Sequence, residues 1–253
     1  MPCRFNKRRT WVHRLMLEQM CHGASSFVTL TYAPDKVPAS GSLQPDDLSA
    51  WLKRFRRRVE PRKIRFFACG EYGDQTQRPH YHAAIFNHAS CVGGVRNIEG
   101  ECQCPQCLDV RETWGFGHVM VGSLTEQSAQ YIAGYVVKKM TSSTDARLAG
   151  RTPEFARMSL RPGIGANALW DVASELMRHN LENRHHSRLA HGARLLPLGR
   201  YLRGRLSSYL GQSDEKFASL SDQALQRCYE ELQLVRAVAW ATDKAVRSVY
   251  REV

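Results

Sequence analysis

The sequence predicts an α+β protein, in which an antiparallel sheet carries helices on one face and a helical region follows toward the C-terminus. The first observation is the order of elements in residues 1–140. Short runs rich in β-branched and aromatic residues, two of them consecutive, alternate with runs of helical periodicity. The second observation is size, because 253 residues with 43% apolar content are enough to bury a core. This order is typical of an antiparallel sheet packed against helices.

Four segments have the composition of strands. The first, "SFVTLTY" at 26–32, is bounded by Gly23 and Pro34. "KIRFFACGE" at 63–71 and "HYHAAIF" at 80–86 are joined by the turn-like "YGDQTQRP", which predicts a hairpin. "GHVMVG" at 117–122 predicts a fourth strand.

Two segments are predicted as helices. From Pro45 to Val59, apolar residues recur at helical spacing, with acidic residues in the first turn and arginines in the last. The arginine run therefore suits the helix dipole, and a solvated helix end explains it without DNA. The second helix, "TEQSAQYIAGYVVKKM", spans 125–140.

We predict one domain over residues 1–140, with a cysteine-rich insertion at about 88–114. Residues 141–253 are predicted as a linker, beginning with the polar "TSSTDARLAG", followed by a mostly helical region. An amphipathic stripe near the C-terminus supports the helical prediction; it consists of Ala224, Leu225, Cys228, Leu232, Val235 and Val238.

The charge balance favours a polyanionic partner. Lys and Arg total 36 against 24 Asp and Glu, a net charge of +12, which suits nucleic acid, although solubility alone is the alternative. No stretch approaches the ~20 apolar residues of a membrane span, and no secretory signal is recognisable. We expect no membrane partner and a cytoplasmic location. In that compartment the eight cysteines are expected to be free thiols or metal ligands.

A His-x-His pattern in the third strand predicts a metal site. Side chains alternate across a strand, so His80 and His82 share one face, and an antiparallel neighbour could bring the Glu71 carboxylate beside them. Two imidazoles and a carboxylate bind a divalent metal and leave positions open for substrate and water. The alternative is one hydrogen-bonded core histidine and one exposed histidine.

A pair of tyrosines in the last helix predicts a nucleophile. Tyr131 and Tyr135 lie four residues apart on one helical face, and Lys138 and Lys139 follow one turn later. A phenol has a pKa near ~10 and needs a cation or metal to become a good attacking group. Such a tyrosine opposite a metal site is a candidate attacker of phosphodiesters. Aromatic packing beside the buried stripe of this helix is the alternative.

Two further clusters are candidates for binding. Cys91, Cys102, Cys104 and Cys107 include a tight "CPQC" turn, which predicts a closed structural zinc site, with reduced cysteines as the alternative. The basic N-terminus and "NRHHSRLAHGAR" at 183–194 are candidates for contacts with DNA phosphates. We select Arg8, Arg9 and Lys139 as DNA-binding residues, with a solvated surface as the alternative.

Four of these segments together resemble a known family. "FVTLTY", "RFFACGEYG", "RPHYHAAIF" and "QYIAGYVVKKM", in this order within residues 25–140, are similar to motifs of rolling-circle replication initiators of the HUH endonuclease superfamily. The similarity is greatest to initiators of microviruses, especially the gokushovirus-like phages. "RMSLRPGIG" at 157–165 resembles a downstream segment of that group, without an assignable chemistry. The resemblance implies a ferredoxin/RRM-like HUH domain.

The resemblance also implies a reaction. His80 and His82, with Glu71 as third ligand, would hold Mg²⁺ or Mn²⁺ as a Lewis acid at the scissile phosphate of single-stranded viral origin DNA. A tyrosine would attack, leaving a 5′-phosphotyrosyl enzyme and a free 3′-hydroxyl, and the second tyrosine would serve a later cut. Which tyrosine acts first is open, although Tyr135 with Lys138 matches the single-tyrosine pattern. A host helicase and polymerase are the implied partners.

Two other functions remain open at the level of sequence. A transposase of the same superfamily would keep the histidines and a tyrosine while moving a mobile element. A zinc-bearing nucleic-acid-binding protein without catalysis would use the histidines and tyrosines only for packing or stacking.

Overall fold

The computed structural model describes residues 2–93, 102–135, 142, 144–184, 186–191 and 194–212, with side chains from residue 6 onward. The chain divides into two compact units, Met1–Gly165 and Ala166–Val253. The predicted stripe at 224–238 lies outside the described residues. The predicted domain boundary at residue 140 falls in the gap at 136–141 and stays a prediction.

The first unit contains a sheet and four helices among its described residues. The elements are α1 (Pro2–Met20), β1 (Ser25–Thr31), α2 (Pro45–Arg58), β2 (Arg65–Tyr72), β3 (Pro79–Phe86), α3 (Pro105–Trp114), β4 (Val119–Ser123), α4 (Glu126–Tyr135) and β5 (Phe155–Met158). Each predicted strand and helix of this unit is present, with bounds that differ by one or two residues wherever both ends are described. The sequence did not predict α1 or β5.

The sheet has the strand order β4-β1-β3-β2-β5, and every pair is antiparallel. β2 and β3 form the predicted hairpin, and α2 and α3 connect β1 to β2 and β3 to β4. This is the split β-α-β arrangement of ferredoxin-like folds. The predicted α+β class and antiparallel sheet are therefore confirmed.

The structure differs from the prediction in having helices on both faces of the sheet. α2 and α3 cover one face, where their buried residues Trp51, Phe55 and Trp114 meet Tyr81 and Ile85 of β3. The central strands are apolar on both sides, because residues 83–86 of β3 are all fully buried. A sheet of this kind must be covered on both faces to keep apolar side chains from water.

The second face is covered by α1 and α4. Val12 and Leu15 of α1 and Ile132 of α4 pack with Phe67 and Phe86 of the sheet. The polar side chains of β2 and β3 that the sequence selects as metal ligands project from this same face of the sheet.

The second unit is described over residues 166–212. It contains α5 (Leu169–Arg178), the hairpin β6 (Arg188–His191) and β7 (Arg194–Pro197), and α6 (Gly199–Tyr209). Trp170 and Tyr209 stack with ring centroids 4.2 Å apart. The basic segment at 183–194 thus supplies most of a hairpin that the sequence did not predict.

Among the described helices, none is both long enough and apolar enough to cross a lipid bilayer.

Candidate metal and tyrosine site

The hairpin register brings the predicted ligands together. Glu71 of β2 lies directly opposite His80 of β3, and Cys69 lies opposite His82. Because side chains alternate, Glu71, His80 and His82 all project from the face covered by α1 and α4. The antiparallel pairing therefore produces the cluster that the sequence predicts.

One carboxylate oxygen joins the two imidazoles. Glu71 Oε1 lies 2.7 Å from His80 Nε2 and 2.8 Å from His82 Nε2. Glu71 is 2% exposed and His82 is 6% exposed, so the pair is shielded from bulk water. Burial alone would raise the pKa of Glu71, but hydrogen bonds from His80 and His82 outweigh it and lower the pKa to about 2.

The other ring nitrogens are also held. His80 Nδ1 lies 3.0 Å from the carbonyl oxygen of Arg78, and His82 Nδ1 lies 3.0 Å from Thr29 Oγ1. Both Nε2 atoms therefore face the carboxylate. Orientation of a metal-binding imidazole through its second nitrogen is the usual arrangement in metalloproteins.

Tyr131 closes the site from α4. Its hydroxyl donates to Glu71 Oε1 at 3.2 Å and lies 3.4 Å from His82 Nε2. The side chain is 45% exposed, so its hydroxyl sits between the ligand cluster and solvent. Partial burial and the Glu71 charge raise the pKa of Tyr131 to about 12, which keeps the phenol protonated at neutral pH.

Tyr135 lies one turn further along α4 and is much less accessible. It is 8% exposed, and its ring lies 5.1 Å from that of Tyr131 and stacks 6.0 Å from the imidazole of His82. Burial raises the pKa of Tyr135. The structure therefore places both tyrosines on the face of α4 that meets the ligands, but exposes only Tyr131.

The donor set fits a hard or borderline divalent cation. Two imidazole nitrogens and a carboxylate oxygen, all within 4.8 Å of one another, could supply three ligands to such an ion. The side toward Tyr131 is left for water or a phosphate oxygen.

The four predicted cysteines also converge. Cys91 follows β3, Cys102 and Cys104 precede α3, and Cys107 lies in its first turn; their sulfurs lie within 4.8 Å of one another. The distances from Cys91 Sγ to Cys102 Sγ and Cys104 Sγ are 3.4 and 3.8 Å. A tetrahedral ion with Zn–S bonds of about 2.3 Å requires sulfurs about 3.8 Å apart, so the cluster has the dimensions of a closed zinc site.

The start of α3 also favours a thiolate within this cluster. Burial raises the pKa of Cys104, but hydrogen bonds from the backbone N–H of Cys107 and from Cys102 outweigh it and lower the pKa to about 7. Cys107, which is more deeply buried, has a raised pKa. The two neighbouring thiols thus differ in how readily they lose a proton. A metal ion bonded to all four sulfurs would stabilise every one of them as a thiolate, because metal ligation requires thiolates.

The predicted basic residues are only partly described. Arg8 is exposed on α1 and donates from Nε to the carbonyl oxygen of Gln130 at 3.1 Å, directly before Tyr131. Arg9 is half-buried on the same helix. Lys138 and Lys139 lie outside the described residues.

Two groups that orient the ligands, Thr29 and the Arg78 carbonyl, were not predicted from the sequence. Thr29 pairs with His82 across the β1–β3 ladder. Thr29 is part of the segment "FVTLTY". Its role could be recognised only from the β1–β3 register, which pairs strands far apart in sequence.

Together these features define a class of protein: an α+β domain in which a His-His-Glu cluster on a ferredoxin-like sheet faces a tyrosine-bearing helix. Comparison with known proteins agrees. Residues 25–140 match the family model of replication-associated protein ORF2/G2P. The predicted resemblance to microvirus replication proteins is thus confirmed.

Three curated phage proteins are similar to this chain. Replication-associated protein VP4 of Bdellovibrio phage phiMH2K is 33% identical over 153 residues, covering 57% of this chain and 48% of the relative. Replication-associated protein ORF2 of Spiroplasma virus 4 is 30% identical over 173 residues, covering 64% and 53%. Replication-associated protein ORF4 of Chlamydia phage 1 is 30% identical over 140 residues, covering 51% and 34%.

The matched part of the chain spans about half the length of the first two relatives and a third of the other. No solved structure matches the chain significantly.

Proposed function

We propose that this protein initiates rolling-circle replication of a single-stranded DNA phage by nicking and joining origin DNA through a tyrosine. The observation that carries the proposal is the contact of the Tyr131 hydroxyl with Glu71 Oε1, the atom that also joins His80 and His82. A candidate nucleophile is thereby held in contact with the three-ligand cluster. The match of residues 25–140 to the model of replication-associated protein ORF2/G2P supports the biological setting.

A bound Mg²⁺ or Mn²⁺ would supply Lewis-acid chemistry at the scissile phosphate. His80, His82 and Glu71 are the residues that would hold it. Their imidazoles are oriented before binding by Thr29 and by the Arg78 carbonyl, so little side-chain rearrangement is needed.

Tyr131 performs the attack in this scheme. Its oxygen forms a bond to the phosphorus as the bond to the 3′-oxygen breaks, which leaves a 5′-phosphotyrosyl ester and a free 3′-hydroxyl. Because the pKa of Tyr131 is raised to about 12, the phenol must lose its proton during attack; in the resting site its hydroxyl donates a hydrogen bond to Glu71 Oε1 at 3.2 Å. Joining is the reverse reaction, with a 3′-hydroxyl attacking the ester.

Tyr135 acts second in the proposed cycle. It lies on the same helical face but is buried under Tyr131, so it reaches a phosphate only after the Tyr131 side chain has moved with the esterified DNA. This order differs from the single-tyrosine pattern in which Tyr135 with Lys138 would act first. Lys138 remains proposed as a cation that stabilises charge at the phosphate.

We further propose that Cys91, Cys102, Cys104 and Cys107 bind one structural Zn²⁺. The sulfur separations and the α3 start support this assignment. The ion would tie the loop after β3 to α3, which in turn packs against α2 and β4.

The partners follow from the same proposal. Single-stranded viral origin DNA is the substrate, with Arg8, Arg9 and Lys139 as phosphate contacts. A host polymerase extends the free 3′-hydroxyl, and a host helicase is the second host partner. The setting is the host cytoplasm.

The direct test is cleavage of end-labelled, single-stranded origin oligonucleotides by the full chain. We expect cleavage with Mn²⁺, none with EDTA, and retention of the 5′-phosphate side on protein. A transposase would instead insert its product into target DNA rather than release closed single-stranded circles. Binding of the oligonucleotide without any cleavage in Mn²⁺ or Mg²⁺ would favour the non-catalytic zinc-bearing protein and overturn the proposal.

A further inference from the structure

Thr29 of β1 contacts one of the two ligand histidines through its hydroxyl. The β1–β3 ladder pairs Thr29 with His82, so both side chains project from the same face at the same level of the sheet. The separation of Thr29 Oγ1 from His82 Nδ1 is 3.0 Å, a normal hydrogen bond. Thr29 lies 53 residues before His82 in the chain, so the contact exists only in the folded sheet.

Ring stacking fixes the plane of the His82 imidazole but not its direction. Phe27 stacks on it with centroids 5.4 Å apart and planes at 15°, and Tyr135 stacks at 6.0 Å and 18°. A half-turn of the imidazole about its χ2 torsion leaves these apolar contacts nearly unchanged, because χ2 of histidine is roughly two-fold. That half-turn would replace Nε2 by a carbon atom at the Glu71 carboxylate.

The hydrogen bond to Thr29 removes this ambiguity. Only one of the two ring directions places Nδ1 against the hydroxyl, and the same direction places Nε2 2.8 Å from Glu71 Oε1. The Thr29 hydroxyl can accept a hydrogen bond from Nδ1–H, and in that tautomer the lone pair of Nε2 is available to a cation.

The ring direction of His80 is set by a different kind of partner. His80 Nδ1 bonds to the backbone carbonyl of Arg78, two residues earlier in its own strand. A backbone carbonyl can only accept, so this partner needs no particular side chain. His82 Nδ1 contacts instead a side-chain hydroxyl, that of Thr29 in β1.

We propose that Thr29 is a positioning residue that sets the ring direction and tautomer of His82 for cation binding. The inference rests on the metal binding proposed above and deepens it, because it assigns part of the cation affinity to β1. Thr29 does not touch the cation or the DNA; it acts through His82.

Thr31 provides a matched control. It is the same residue type on the same strand and face, and it pairs with His80 in the ladder. Its hydroxyl, however, donates to the backbone carbonyl of His118 and not to an imidazole ring. Thr31→Val and Thr29→Val therefore remove the same hydroxyl from equivalent strand positions while keeping the β-branched shape.

The experiment measures Mn²⁺ affinity by electron paramagnetic resonance of free Mn²⁺, using the full chain without DNA. We expect Thr29→Val to weaken binding about 10–100-fold, the usual effect of removing the second partner of a metal-binding histidine. Thr29→Ser should restore affinity to near the wild-type value, and Thr31→Val should leave it unchanged.

The outcomes separate this inference from the proposed function. Absence of stoichiometric Mn²⁺ binding in the wild type would overturn both. Wild-type binding with equal affinity in Thr29→Val, equal loss in Thr31→Val, or no rescue by Thr29→Ser would overturn the role of Thr29 alone. If Thr29→Val fails to fold, ¹⁵N chemical shifts of His82 in the Mg²⁺-loaded wild type decide: protonated Nδ1 supports the inference, and protonated Nε2 overturns it.

Discussion

Four neighbouring side chains hold the imidazole of His82. Glu71 bonds to its Nε2, Thr29 bonds to its Nδ1, and Phe27 and Tyr135 stack on its ring. This degree of constraint exceeds what a packing histidine needs. It is the expected environment of a ligand whose lone pair must point in one direction.

Loss of either histidine should abolish cleavage while leaving DNA binding largely intact. His80→Ala and His82→Ala each remove one of three predicted ligands but none of the exposed basic residues of α1. Cleavage assays with Mn²⁺ and filter binding on the same oligonucleotide measure the two effects separately. Unchanged cleavage by both variants would contradict the metal assignment.

The two tyrosines should differ in the first cut. Tyr131→Phe removes the exposed hydroxyl at the ligand cluster, so we expect initial cleavage to fall by at least about 100-fold, the scale of losing a catalytic group. Tyr135→Phe removes only a buried hydroxyl and should retain initial cleavage while failing to close circles.

Single-turnover cleavage and circle closure, measured on both variants and on the double variant, test this order. Faster first cleavage by Tyr131→Phe than by Tyr135→Phe would reverse the assignment.

At the scale of elements, side chains of α1 hold α4, the helix that carries both tyrosines. Gln19 donates to the carbonyl of Leu124 just before α4, and Arg8 donates to that of Gln130 within it. α1 itself is tied to the sheet by Glu18, which is fully buried and accepts from Arg65 and from the backbone N–H of Gly165.

This arrangement explains the segment "RMSLRPGIG", which has no chemistry of its own in the sequence. Its first two residues end β5, and the rest returns to α1: Arg65 donates to the carbonyl of Pro162, and Arg14 donates to that of Ile164. Gly165 has a φ of +81°, and a Cβ there would lie 2.8 Å from the carbonyl oxygen of Arg14. The close approach of the two backbones therefore requires glycine.

We predict that Glu18→Gln destabilises the domain by about 3–5 kcal/mol, because it removes the fully buried charge partner of Arg65, whose own side chain is only 15% exposed. Glu112→Gln is the matched control, since Glu112 pairs with Arg58 at 2.8 Å but both side chains are about half exposed. That change should cost no more than about 1 kcal/mol. Urea unfolding at pH 7 measures both free energies, and equal losses would contradict the buried-pair interpretation.

The same variant has a defined pH dependence. Burial raises the pKa of Glu18, but hydrogen bonds from His22, Arg65 and Gly165 outweigh it and lower the pKa below the ordinary 4.5. A lowered folded-state pKa contributes stability above the unfolded value, and this contribution is lost as pH falls through the folded value. The difference in unfolding free energy between wild type and Glu18→Gln should therefore shrink between about pH 4.5 and lower pH.

The cysteine cluster should behave as a structural element. We expect about one zinc per chain that resists mild chelation, whereas the catalytic cation exchanges freely. Cys104→Ser should lower both the zinc content and the melting temperature. Cys21→Ser, at an exposed cysteine outside the cluster, should change neither. Elemental analysis of freshly reduced protein without zinc would contradict the prediction.

Local patterns predicted the elements and ligands that depend on neighbours in sequence. The β2–β3 hairpin, Glu71 with both histidines, and the tyrosine spacing follow from strand alternation and helical periodicity. α1, β5 and Thr29 were missed because their roles depend on pairing between distant segments. Burial of the second sheet face by α1 and α4 was missed for the same reason. Which face of the sheet Phe67, Ala84 and Phe86 occupy is decided only when the strands pair.

For the whole molecule, the net charge of +12 should appear as strong salt dependence of DNA binding. Arg8→Ala should make the slope of log affinity against log salt shallower by about 0.7, the value for one phosphate contact on single-stranded DNA. Arg57→Ala is the control, because Arg57 is exposed at the end of α2, on the opposite face of the sheet. Equal changes in both variants would mean that binding senses net charge alone.

The most direct measurement is mass spectrometry of the full chain after incubation with origin oligonucleotide and Mn²⁺, followed by digestion and fragmentation. The proposal predicts a nucleotide esterified to Tyr131, absent with EDTA and absent in Tyr131→Phe under single-turnover conditions. Fragmentation separates Tyr131 from Tyr135, which lie four residues apart. Cleaved DNA with no nucleotide on any tyrosine, or with the nucleotide on a tyrosine outside α4, would contradict the central claim.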